Sequence, residues 1–127
     1  MAELVSTMTG VTYDELLGGT AVTIMTANVT IAQVDAEATY KRGTLLGIVT
    51  ASGKYAIVDS EASTGEQVAS VVLAHDVVVG TDNDVVATVY TRGIFNREKL
   101  LVKAADDNAT KHEEELRKVG IYLTSLK

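Results

Sequence analysis

Between Tyr40 and Tyr55 the chain reads YKRGTLLGIVTASGKY, two short apolar runs with a glycine at each break. Runs this short, rich in β-branched and large apolar types, suit strands better than helices. Thr44 to Thr50 is therefore expected as one strand and Lys54 to Val58 as the next, joined through the two-residue turn signal Ser52-Gly53. Gly43 and Gly47 bracket Thr44-Leu45-Leu46, where glycine marks a bulge, a tight bend or a close backbone approach. The result is a hairpin with a sharp entry, packed by Leu45, Leu46, Ile48, Val49, Tyr55 and Ile57. Wherever Gly43, Gly47 or Gly93 carries a positive φ, valine there should cost more than ~1 kcal/mol.

The rest of the chain repeats this strand grammar. Tyr13 to Gly19 (YDELLGG) reads as a short turn or helical piece stopped by its glycine pair. In Thr20 to Val34, Val22 and Ile24 share one parity and Val29 and Ile31 the other, which requires a bulge or bend between two short strands. Asp35 to Thr39 is expected as a polar loop. Asp59 to Gln67 (DSEASTGEQ) is turn-forming. Val68 to Val79 is the longest apolar run and reads as a strand buried on both faces, bent at His75-Asp76. Gly80 to Asp84 (GTDND) is a turn, and Val85 to Tyr90 alternates as a strand. Thr91 to Phe95 is expected to turn at Gly93, with Asn96 capping a helical turn through Leu100.

One longer helix is expected, Ala109 to Val119, with Ala109, His112, Leu116 and Val119 on its apolar stripe. Thr110 and Glu113 have capping-box spacing, while Asn108 offers a second cap. Glu113 to Glu115 at the start, and Arg117 and Lys118 at the end, suit the helix dipole. Gly120 is placed as the C′ residue, and Ile121 to Leu126 as a final strand.

Length and charge exclude several function classes. At 127 residues the chain is one domain on length alone. A net charge of −6 opposes a sequence-independent nucleic-acid binder, which needs a basic footprint. With no cysteine there is no disulfide and no thiolate metal site. No secretory signal is expected, because the first base is Lys41. Leu16 to Val34 is uncharged over a membrane-like length, yet its two glycines, threonines, Asn28 and Gln33 give it a strand pattern. Residues 1–39 hold five acids and no base, a solvated face or a match for a basic partner surface.

No catalytic constellation is legible. His112 on the apolar stripe reads as a hydrogen-bonded structural histidine. His75-Asp76 is half a relay with no serine or cysteine motif beside it. Gly18-Gly19-Thr20 precedes a strand rather than a helix, so it is no phosphate loop. Asp82, Asn83 and Asp84 lack the EF-hand spacing. Asn28 and Asn108 begin sequons without a visible secretion route. No cofactor and no metal are expected.

The succession TIMTANVTIA, YKRGTLLGIVTASGKY, VASVVLAHDVVV, VYTRGIFNREKLLV and a helix running into VGIYL resembles the phage lambda-type head decoration protein family, from about Leu16 onward. Relatives often carry a proline after the strand near Leu101-Val102, and this chain has none. The resemblance implies a mainly β fold with one or two short helices (α+β), a β-clip-like single domain that forms a homotrimer. It implies a flexible N-terminal arm over 1–19 and a β-rich decoration domain over 20–127. It implies a non-enzymatic protein, made in the bacterial host cytoplasm. Its trimers bind the outer face of the expanded phage head at local threefold sites, with the major capsid protein as partner and no nucleic acid or membrane.

Met1 to Thr12 is β-branched, with Glu3 its one charge. Two readings are open for it: a frayed terminus, or an arm that orders as a strand added to a partner. On the second reading Glu3, Leu4, Val5, Ser6, Thr7, Met8 and Thr9 form the capsid-binding arm. Two rival classes fit the residues less well. A trimeric dUTPase-like nucleotide hydrolase needs Asp, Ser and Arg motifs that Arg42, Arg92, Arg97 and Arg117 do not provide. A carbohydrate-binding module needs aromatic platforms, but Trp is absent and the tyrosines are scattered.

Overall fold

The computed structural model describes residues 16–19, 22–103 and 106–125. Within them lie nine strands and one short α-helix. The strands are β1 (Leu17–Gly19), β2 (Met25–Ile31), β3 (Ala38–Tyr40), β4 (Leu45–Ile48) and β5 (Tyr55–Ile57), then β6 (Val71–Leu73), β7 (Val77–Val79), β8 (Val85–Asn96) and β9 (Ile121–Thr124). The helix, α1, spans Glu113–Lys118. The fold is mainly β, as expected, and forms one compact domain.

The twelve-residue β8 organises everything. One of its edges pairs antiparallel with β2 and, further along, with β1. The other pairs antiparallel with β6 and parallel with β9. Because β4 joins β6 to β5, and β5 touches β2 at Ile31, the pairings β8–β2–β5–β4–β6–β8 close on themselves. Closure leaves these strands few open edges. Inside sit Ile31, Leu46, Leu73, Ala87 and Val89, covered by Tyr40 and Val79 from the separate β3–β7 ribbon. The alternation of Val85, Ala87 and Val89 against Val86, Thr88 and Tyr90 is thus a true inward–outward period.

A second core lies on the far face of β4 and β6. Leu45 and Val72 point into it, while their neighbours Leu46 and Val71 point into the first. It is completed by Leu16, Phe95, Leu100, Leu116 and Ile121. The expected both-face burial holds for β6, whose three residues are all buried.

Other expectations are corrected. Val68 to Val79 is two strands in two sheets, because Arg42 donates its backbone N–H to Asp76 (2.8 Å) and its Nη1 to the Ala74 carbonyl (2.8 Å). These bonds hold the break between β6 and β7. Asp35 to Thr39 is only partly loop, since Ala38 and Thr39 belong to β3, paired with β7. Leu17 to Gly19 is strand rather than turn or helix, and Tyr13 to Glu15 lie outside the described residues. Val22 and Ile24 precede β2 instead of forming a strand of their own. The register irregularity does fall between them and Val29, but the extra residue, Thr91, is on β8: Met25 opposes Arg92 and Thr26 opposes Tyr90.

Thr91 to Phe95 does not turn. β8 runs through Gly93, whose φ of 150° only glycine takes easily, because β9 pairs from Gly93 onward. Ser52-Gly53 is part of a longer loop in which the Ser52 and Gly53 N–H groups both donate to the Val49 carbonyl. Gly47 has no positive φ. It is needed because a Cβ there would run into the Val68 carbonyl and lie 2.9 Å from Glu66 Cα.

The expected helix divides into a 3-10 turn, Ala109–His112, and α1. Ala109, His112 and Leu116 are buried, but Val119 ends the stripe exposed (48%). Asn108 is the cap, its Oδ1 accepting the Lys111 N–H at 3.1 Å. Asn108→Ala is expected to cost about 1 kcal/mol, read as a shift in urea midpoint without a change in slope. Asn96 caps the turn Arg97–Lys99 as expected, accepting the Glu98 N–H. Gly120, at φ 93°, ends α1 and releases the chain into β9. No helix among the described residues is long and apolar enough to cross a membrane, and the uncharged stretch after Leu16 is taken up by β1 and β2.

Candidate functional site

His112 closes the 3-10 turn and points inward, 4% exposed. Its Nε2 lies 2.7 Å from Asp107 Oδ2 and its Nδ1 2.7 Å from Glu115 Oε1. With a carboxylate at each ring nitrogen, the ring below its raised pKa is an imidazolium that donates from both nitrogens. Burial pulls its pKa down, but the hydrogen bonds to Asp107 and Glu115 outweigh that and hold it above the ordinary histidine value. Burial pushes Asp107 up, yet the bonds from His112 and from the Asn108 N–H leave it below the usual carboxylate range. Glu115 Oε1 also accepts the Ala69 N–H at 2.9 Å, tying α1 to the segment before β6. With both N–H groups committed, the ring has no lone pair to act as a base. The cluster is a buried clamp. Glu115, three residues on along the helix, was legible from spacing; Asp107, in the preceding loop, was not.

The other sequence candidates resolve into structural roles. His75 is exposed, with Nδ1 3.2 Å from the Asp76 carbonyl oxygen, while the Asp76 carboxylate serves Arg42. The two do not form a relay. Asp84 accepts the Gln33 N–H at 2.9 Å and pairs with Lys54 Nζ at 2.6 Å, the lysine bond chiefly holding its pKa low. The Asp82–Asp84 turn thus fastens the end of β2. Among the described residues no group of three or more His, Asp or Glu is arranged to hold a metal ion.

The surface carries the remaining information. Glu3, Leu4, Val5, Ser6, Thr7, Met8 and Thr9 lie outside the described residues. Their root does not: Leu16 is buried in the second core and its carbonyl accepts the Asn96 N–H at 2.7 Å. Just beyond, Met25, Thr26, Ala27 and Asn28 of β2 are all exposed, so this strand end is open on both faces. Its edge away from β8 has no pairing among the described residues until Ile31 meets Tyr55. Open edges are usually guarded by charge, but residues 16–34 have none.

A cavity of about 490 Å³ opens between the loop after β2, the inner side of β3, β5 and Lys103. Val34, Ala38 and Ile57 give it apolar walls. Tyr40 also lines it, 8% exposed, with no hydrogen-bond partner for its hydroxyl among the described residues. Burial pushes that hydroxyl's pKa up. Its lining comes from segments between Gln33 and Lys103, and no local motif announces such a pocket.

No curated protein matches the sequence. The model of the family described as bacteriophage lambda head decoration protein D matches residues 5–121, starting upstream of the motifs that carried the resemblance. A match over most of the chain, on a mainly β domain, places this protein in that family. The chain belongs to the bacteriophage lambda head decoration protein D family, structural and non-enzymatic proteins of the phage head.

Proposed function

We propose that the protein forms a homotrimer and binds the outer face of the expanded phage head at local threefold positions. There it bridges copies of the major capsid protein and holds them together. The family match over residues 5–121 carries this reading. A threefold ring closes on itself through a heterologous interface. It presents three equivalent arms to three equivalent shell sites. After one arm attaches, the others bind intramolecularly, a gain on the order of 10²–10⁴ in avidity. That gain offsets roughly 1–2 kcal/mol of backbone entropy for each residue an arm orders. Contacts made only to the expanded lattice stabilise it by mass action.

The anchoring of Leu16 supports a mechanical role. Tension on residues 3–9 passes through a buried leucine and a backbone hydrogen bond into β8, the strand that joins both cores. Removing Met1 to Thr12 is expected to leave a folded trimer and to abolish co-sedimentation with expanded heads. Full retention of binding by the truncated protein would remove the arm from the mechanism.

A further inference from the structure

The cavity beside Tyr40 has the features of a binding site that the arm does not account for. Its rim carries Asp35, Asp59 and Glu66 against the single base Lys103. Asp59 is held by the Glu61 N–H (3.1 Å) and loosely by Lys103 Nζ (3.6 Å), with the lysine side chain 63% exposed. Glu66 accepts from Thr64 Oγ1, and Asp35 is exposed with no partner among the described residues. Three carboxylates around one exposed ammonium leave a local excess of negative charge. The same cavity has apolar walls and is lined by Tyr40, whose hydroxyl has no hydrogen-bond partner among the described residues. An acidic rim alone would be a solvated edge; Tyr40, a residue nine-tenths buried that lines the same cavity with no hydrogen-bond partner for its hydroxyl among the described residues, is a second, independent demand for a ligand.

We propose that this cavity seats a lysine or arginine side chain presented by the shell protein. The stem of such a residue packs on Val34, Ala38 and Ile57, as long basic side chains do on apolar surface. Its N–H groups donate to the rim carboxylates and to the Tyr40 hydroxyl oxygen, bonds stronger than neutral ones because both partners of the carboxylate pair are charged. A second copy of this chain is a poorer occupant, since every copy carries the same net charge of −6. The inference rests on the decoration reading above, and adds a charge-selective contact on the domain itself to the one expected of the arm.

Two measurements test it. In co-sedimentation with expanded heads, the full-length double variant Asp35→Asn/Glu66→Gln is expected to bind about tenfold more weakly than wild type, with a shallower loss of binding on adding salt. Tyr40→Phe, which keeps the ring, should weaken binding several-fold. Solution mass and melting temperature should stay at wild-type values in both. Wild-type affinity and wild-type salt dependence in these variants would overturn the proposal. If wild type itself fails to sediment with heads, the decoration reading fails instead, and the cavity is then judged on the free protein. There, n-butylammonium is expected to shift the amide resonances of Ala38, Tyr40 and Ile57 in wild type but not in the double variant. Equal shifts from n-butanol, or none from the amine, would overturn it.

Discussion

Asp107→Ala is expected to destabilise the domain by about 3–5 kcal/mol, because it leaves the buried His112 imidazolium facing Glu115 alone. That is a large share of the roughly 5–15 kcal/mol that holds a domain of this kind folded. The partner experiment is the pH dependence of stability. The folded pKa of His112 lies above its unfolded value, so its contribution is complete below about pH 6.5 and fades as pH rises through the folded pKa. The folded pKa of Asp107 lies below its unfolded value, so its contribution is complete above about pH 4 and fades as pH falls through the folded pKa. Stability should therefore peak between about pH 4 and 6.5 and decline on both sides. Urea denaturation at pH 5.5 and 8.5 measures the alkaline decline, and His112→Gln should flatten it. A variant that keeps the full wild-type slope would show that another group titrates.

Gly43→Val is expected to cost about 2–5 kcal/mol, the sum of left-handed backbone strain and overpacking. Gly43 has φ 98°, and a Cβ there would lie 2.5 Å from the Lys99 carbonyl oxygen and 3.4 Å from Leu16 Cδ1. Neither neighbour can retreat freely. The Gly43 N–H donates to the Leu73 carbonyl and its own carbonyl accepts from Leu101, so the residue sits at the junction of β4, β6 and the Leu101 segment. The melting temperature should fall by roughly 10 °C or more. Gly80→Ala is the control: no positive φ and nothing within 4 Å of its Cβ position, hence a change within about ±0.5 kcal/mol. A fall for Gly43→Val no larger than that of the control would refute the steric account.

What could be read from the residues and what could not separate along physical lines. The strands Leu45–Ile48, Tyr55–Ile57 and Val85 onward were visible because alternation or short apolar runs between turn residues are local signals. The cap at Asn96 and the stop at Gly120 were visible for the same reason. β3 was missed because Ala38-Thr39-Tyr40 has no strand signature of its own; it is a strand only because β7 lies opposite. Gly93 was misread as a turn because a glycine with positive φ also fits a strand that β9 continues to pair, and β9 is nearly thirty residues away. The His112 clamp was half legible, through the helical spacing to Glu115. The cavity was not legible at all, because its acids and Tyr40 meet only after β2, β3 and β5 are in place. The arm residues Glu3 to Thr9 rest on composition and the family pattern, since they lie outside the described residues.

The most direct test is the number of copies bound per head. Saturating protein is mixed with expanded and with unexpanded heads, the particles are pelleted, and bound protein is counted against shell subunits. Three copies on each local threefold position of expanded heads, with little on unexpanded ones, is the expected result. Equal binding to both states, or a saturating ratio that is not a multiple of three per site, would contradict a threefold fastener specific to the expanded lattice.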